Sequence, residues 1–271
     1  MSKARLLSTE IFLFLMVQLI GIYVASSLMI RSPELLAVQE ISLITFLAIF
    51  SMTVILIFLA MKFLKHKFGF KLLFIFLILV GSRTVFASIF SANIATILSF
   101  VLMFLWLALP YVFMHNIAII FAISGISTEL GFSVSFTTMV ILITLLSIYD
   151  VIAVYKTKHM VKMFTSLMNK GLLLSLIIPY ELKNWLMPTN KVRPKKGFML
   201  LGTGDLAFPL ILAVTALKFS LTTSLFIVGG STIGSILVFY LLTHQPQVRA
   251  LPALPPIAIC SILGFFVSFL F

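Results

Sequence analysis

Of the seven acidic residues in this chain, Glu10, Glu34, Glu40, Glu129 and Glu181 read as span ends or loops, which leaves Asp150 and Asp205 inside long apolar runs. Asp205 lies in residues 201 to 209, LGTGDLAFP, where Gly202-Thr203-Gly204-Asp205 interrupts a stretch hydrophobic enough to cross a bilayer. A carboxylate near the centre of a spanning helix costs about 2.5–3.5 kcal/mol on insertion scales, so by default it marks a functional site. Asp150 follows Tyr149 in LLSIYDVIAVYK, six residues before Lys156. At a helical rise of about 1.5 Å per residue this places it about 9 Å from that end of its span, and Asp205, nine residues after Lys196, about 14 Å from the same side. The two carboxylates therefore fall at comparable depth on sequence-adjacent antiparallel helices.

Two carboxylates a few Å apart in a poorly solvated site cannot both ionise comfortably, and the pair holds one proton between them. Such a pair can hydrolyse a peptide bond. The ionised member takes a proton from water as it attacks the carbonyl, and the protonated member donates to the carbonyl oxygen and later helps the amine leave. The chemistry needs no metal and no cofactor. Which aspartate takes which part belongs to the pair and is not assigned. Gly202 and Gly204 allow backbone beside Asp205 to depart from helix and a peptide to approach it. Such unwound backbone is tolerated at depth only where protein or a water-filled cavity receives it.

The elements that must position these residues are membrane helices. Hydrophobic residues make up 62% of the 271 and charged residues only 10%, with a mean hydropathy of +1.24, far from the composition of a soluble domain. The net charge of +12 does not indicate a nucleic-acid reader, because the basic residues lie between apolar runs rather than on a polar surface. Cys260 is the single cysteine, which excludes an internal disulfide framework. The histidines, His66, His115, His159 and His244, are scattered without metal-binding spacing, and no chemistry is assigned to them.

Apolar runs predict nine spans, at about residues 11–30, 41–61, 72–90, 93–111, 114–129, 133–155, 198–217, 220–242 and 252–271. The divisions at Ser91-Ala92-Asn93 and at Met114-His115-Asn116 rest on short polar breaks. The first run follows Lys3 and Arg5 as a secretory signal would, but it is of spanning length and lacks an obvious cleavage site, so it reads as the first span. With the N-terminus in the cytoplasm and the C-terminus outside, 16 of the 19 basic residues face inward, and only Arg31, Arg83 and Lys218 do not. Arg83 is expected to snorkel or to pair within the bundle. The expected organisation is one all-α polytopic domain over residues 1–271, with spans one to six in 1–155, a cytoplasmic loop in 156–197 and spans seven to nine in 198–271.

That loop begins basic, with Lys156, Lys158, His159 and Lys162, and then turns apolar at Gly171-Leu172-Leu173-Leu174-Ser175-Leu176-Ile177-Ile178-Pro179. The apolar piece is too short to span, and Pro179 would stop a helix, so it is expected to lie in the interface or pack into the cytoplasmic side, as an anchor or as a strand near a site. Gly230-Ser231-Thr232-Ile233-Gly234 has the small-xxx-small spacing of close helix packing.

Taken together, Tyr149-Asp150, Gly202-Thr203-Gly204-Asp205 and Pro252-Ala253-Leu254, in that order on nine spans, resemble the YD, GxGD and PAL motifs of the presenilin and signal peptide peptidase family. GxGD alone is weak, since prepilin peptidases carry a similar motif; the three in order are specific. The PALPP run and the inferred orientation are presenilin-like, whereas FMLLGTGDLAFP is closer to signal peptide peptidases. The resemblance implies an intramembrane aspartyl protease with Asp150 and Asp205 as the catalytic pair and with Tyr149, Gly202, Thr203 and Gly204 supporting them. It also implies that Pro252, Ala253 and Leu254 pack beside the pair and help bind substrate. The compact length points to a microbial homologue in a cell membrane. Its implied partners are transmembrane-helix proteins with an outside N-terminus and the lipid bilayer, with homo-oligomerisation left open and no nucleic acid. Two other readings remain at this stage. A proton- or cation-coupled transporter would also use intramembrane aspartates, though no second half repeats the GTGD segment, and a scaffold without chemistry would leave both unexplained.

Overall fold

The computed structural model describes residues 3–31, 41–63, 67–156, 173–193, 197–244 and 251–271. The sequence readings at Glu34, Glu40, Lys65, His66, Lys158, His159, Lys162, Lys170, Gly171, Leu172, Lys195, Lys196 and Arg249 lie outside these residues. Nine α-helices are present among the described residues: α1 Lys3–Arg31, α2 Leu43–Phe63, α3 Lys67–Ala87, α4 Ala92–Ala108, α5 Val112–Ser133, α6 Phe136–Val151, α7 Thr203–Ala216, α8 Leu221–His244 and α9 Leu254–Val267. Two strands, β1 Ser175–Pro179 and β2 Phe198–Gly202, form an antiparallel pair between α6 and α7. Large apolar side chains such as Phe12, Phe104, Ile97 and Phe266 are more than 60% exposed, as expected where the surroundings are lipid rather than water. Four helices, within 3–31, 112–133, 136–156 and 221–244, are long and apolar enough to cross a membrane on their own.

The helices alternate between two ends of the bundle, and contacts between their ends sort the connections. At one end, Lys3 Nζ donates to Thr243 O at 3.4 Å, and the turn between α4 and α5 is tied to residues 187–189 by Val112 N to Met187 O at 3.0 Å and Thr189 N to Pro110 O at 2.8 Å. At the other, Arg31 reaches Ile89 O at 3.3 Å, Ile41 N donates to Ser133 O at 3.1 Å, and Phe136 meets Phe219 edge-on and Phe265 at a tilt. Successive helices alternate in direction between the two sets, with strand β2 forming the first part of the crossing that α7 completes. The end holding Lys3 also holds Lys156, Lys183, Lys191 and Arg193; Arg31, Arg83 and Lys218 are toward the opposite end. Arg83 is exposed and donates to Thr96 Oγ1 on α4 at 3.2 Å, the pairing expected for it.

Local chemistry explains the helix ends. Ser135 caps α6 by accepting Thr138 N–H at 3.1 Å, and Ser220 does the same for α8 from Thr223 N–H at 2.9 Å. The break between the fourth and fifth spans falls at Leu109-Pro110-Tyr111, not at Met114-His115-Asn116. Proline there has no N–H to give a helix, whereas His115 and Asn116 are buried inside α5. A second difference concerns the seventh span, whose first five residues are strand β2, so helix begins only at Thr203. The third is Glu10, read as a span end: α1 starts at Lys3, and Glu10 is buried, accepting from Ser235 on α8 at 3.1 Å.

Helix α5 is central, packed against α1, α3, α4, α7 and β1. Its contact with α3 is close enough that a Cβ on Gly81 would overlap the Ala122 carbonyl, and one on Gly125 the Gly81 carbonyl. The small-xxx-small motif of α8 works as read, because Gly230 abuts the backbone at Cys260 and Gly234 that at Ile257. Helix α9 packs in turn against α6, and the backbone N–H of Leu254 at its start reaches Asp150 near the end of that helix.

Candidate active site

Asp150 sits in the last turn of α6, where the helix widens into one π-turn over Ile152–Lys156, a distortion common at functional sites. Its side chain is buried, and Oδ2 accepts the backbone N–H of Leu254 at 3.3 Å. Ala253 contributes a second backbone hydrogen bond. Leu254 is the first residue of α9, followed by Pro255 and Pro256. A helix start exposes four N–H groups, and here two of those positions carry none. The carboxylate of Asp150 therefore takes a donor that the helix itself cannot use, at the favourable end of the helix dipole.

Asp205 is half-buried in the first turn of α7. With Gly202 as the N-cap residue, Asp205 occupies the third helical position, and its carboxylate hydrogen-bonds back to the Gly202 backbone, the acidic half of a capping box. Gly202 has φ −63° and ψ 142°, which any residue adopts, so glycine is not required there for conformation. Space is the reason: a Cβ on Gly202 would lie 2.8 Å from Asp205 Oδ2. Gly204 is less constrained, since its Cβ would make ordinary contact with Phe208.

Two further residues shape this turn. Pro209 lies four residues after Asp205 inside α7, so the Asp205 carbonyl lacks its usual helical donor. The next carbonyl, Leu206 O, receives Nε2 of the fully buried Gln18 from α1 at 2.9 Å. Gln18 carried no motif and was missed; a lone amide in the middle of an apolar span was its only signal. The hydroxyl of Ser175, opposite Gly202 in the strand register, is buried with no hydrogen-bond partner among the described residues.

Helices α6, α7 and α9 pack against one another, and Asp150 and Asp205 are close enough to interact electrostatically. Beside Asp205, a cavity of about 220 Å³ opens between α3, α5 and the first turn of α7, lined by Ile78, Ile119, Ile126, Thr203, Gly204 and Ala207 among others. Pro252 and Leu254 are buried, and Ala253 is half-buried. Tyr149, by contrast, is 59% exposed and makes no part of the Asp150–Leu254 contact.

A polytopic helical bundle that carries two interacting aspartates on neighbouring helices has the architecture of a membrane-embedded aspartyl hydrolase. The family model described as signal-peptide peptidase, presenilin aspartyl protease matches residues 11–271, and the chain belongs to that family. Two solved structures of presenilin-family intramembrane aspartate proteases share the fold. The one in space group C222 has a TM-score of 0.65 at 19% identity, covering 95% of this chain and 94% of the other. The one in P2 has a TM-score of 0.63 at 21% identity, covering 96% of each. No curated protein matches the chain. It is an integral membrane protein and an aspartyl protease, and the transporter reading is set aside.

Proposed function

We propose that Asp150 and Asp205 are the catalytic pair, cutting transmembrane-helix substrates within the bilayer. The observation that carries this reading is that each carboxylate is held by backbone N–H, Asp150 by the start of the neighbouring α9 and Asp205 by Gly202 at the cap of its own helix, while the two interact with each other. One proton shared between them supports the required division of labour. The ionised aspartate removes a proton from water as its oxygen attacks the peptide carbonyl. The other gives its proton to the carbonyl oxygen, and collapse of the tetrahedral intermediate, with proton transfer to nitrogen, releases the amine.

Strand β2 supports a mode of substrate binding. In the antiparallel pair, Tyr180 N donates to Gly197 O at 2.9 Å, so alternation puts the bonded pairs at Ile178↔Met199 and Leu176↔Leu201. The N–H and C=O of Leu200 then face away from β1. An unwound substrate segment adds to that edge as a strand, leading toward Asp205. Added antiparallel to β2, which runs from the basic end into the bundle, the segment enters with its N-terminus on the far side. With the basic end cytoplasmic, the substrates have an outside N-terminus and the protease an inside one. Pro252, Ala253 and Leu254 bound the same site from α9.

The test is cleavage of a transmembrane reporter by the purified, reconstituted protein. Asp150→Asn and Asp205→Asn each should lower kcat by about 10³-fold or more while the protein remains folded. Cleavage that survives both single changes defeats the assignment.

A further inference from the structure

His115 and Asn116 are adjacent polar residues in the interior of α5, 4% and 1% exposed. Both are spent on strand β1. The Asn116 amide nitrogen donates to Ile177 O at 2.6 Å, its carbonyl oxygen accepts Ile177 N–H at 2.9 Å, and His115 Nε2 donates to Ser175 O at 3.1 Å. The opposite characters of the two Ile177 groups fix the orientation of the amide, and the carbonyl partner fixes the proton on Nε2. The His115 ring is itself held in a parallel stack with Phe74, centroids 5.8 Å apart.

Ile177 and Ser175 are the residues whose backbone groups β1 turns away from β2, given the alternation set by the Tyr180–Gly197 bond. A side-chain amide that donates to and accepts from one residue presents what a neighbouring strand would present. Without it, the N–H and C=O of a fully buried residue would lie unpaired in the bundle, away from water. Pro179, whose missing N–H would also have pointed away from β2, takes nothing from the β1–β2 ladder.

We infer that Asn116, seconded by His115, is a positioning residue that stands in for a third strand. It closes the outer edge of β1, keeps the two-stranded sheet assembled before substrate arrives, and leaves the β2 edge at Leu200 as the side on which a substrate strand adds. The inference rests on the protease reading above and assigns to α5 a part in substrate binding rather than in the chemical step.

The experiment compares kcat and KM for a transmembrane reporter in the wild type and in Asn116→Leu, the latter also with Ile177→Cys and Leu200→Cys oxidised to a disulfide across the non-bonded register pair. In Asn116→Leu, KM should rise about tenfold or more with kcat within about twofold, and the cross-link should return KM close to the wild-type value. Unchanged KM overturns the inference, as does a loss of kcat and KM together, or of folded protein, that the cross-link fails to repair. Failure of the protease reading looks different: the wild type itself would show no cleavage that depends on Asp150 and Asp205.

Discussion

The carboxylate of Asp205 occupies the space that a side chain on Gly202 would fill, with Oδ2 2.8 Å from where the Cβ would be. The glycine of this motif thus makes room for an aspartate rather than for an unusual backbone angle. Gly202→Ala is accordingly expected to fold, because its φ and ψ suit alanine. It should displace the carboxylate and lower kcat by about 10–100-fold, since misplacement of about 1 Å has that order of effect. Single-turnover cleavage with a folded-state check reads both; an alanine variant with full activity would show that the carboxylate can work from another position.

Leu200 and Met199 are neighbours whose backbone N–H groups face opposite ways. Leu200→Pro removes an N–H that β1 does not use, whereas Met199→Pro removes one that it does. Leu200→Pro should raise KM about tenfold with the protein still folded, and Met199→Pro should weaken the sheet itself. Equal behaviour of the two variants would argue against substrate pairing at this edge.

Gln18 reaches across from α1 to the carbonyl next to Asp205. Gln18→Met keeps the volume and removes the donor. Loss of this buried hydrogen bond should cost about 1 kcal/mol of stability and, by loosening the turn that bears Asp205, lower kcat about tenfold with KM little changed. Thermal unfolding and steady-state kinetics separate the two effects; a change in stability alone would make Gln18 a packing residue.

Glu10 is a third carboxylate inside the bundle, buried like Asp150, and its second oxygen has no hydrogen-bond partner among the described residues. A two-aspartate mechanism has no use for it. Glu10→Gln, which still accepts from Ser235, is expected to leave cleavage unchanged and the protein at least as stable, because a buried ionisable group is removed. Abolished cleavage in a folded Glu10→Gln protein would require a larger catalytic set.

The spans, and the packing together of the two helices that carry Asp150 and Asp205, were legible in the sequence because apolar length and charge asymmetry act over whole helices, and errors of a few residues cancel. Single hydrogen bonds are not averaged in that way. His115 and Asn116 looked like a break between spans because polar residues usually mark water; here they satisfy a strand that only tertiary structure brings beside them. The strand at residues 198–202 was hidden for a related reason, since a short apolar run reads equally as helix or strand, and its partner lies across the loop. Gln18 and Glu10 carried no periodic signal at all. The small-xxx-small spacing in α8 was readable, because steric contact between backbones depends on residue size alone.

Among the described residues the two-stranded sheet is covered along β1 by Asn116 and His115 and has no further strand along β2, which bears on turnover. Once a bond is cut, the fragment still laddered to β2 occupies the place the next chain requires. Its departure means unzipping main-chain hydrogen bonds that owe little to side-chain identity. Broad tolerance of sequence and slow product escape would then share one origin: the grip is on the backbone that all substrates have in common.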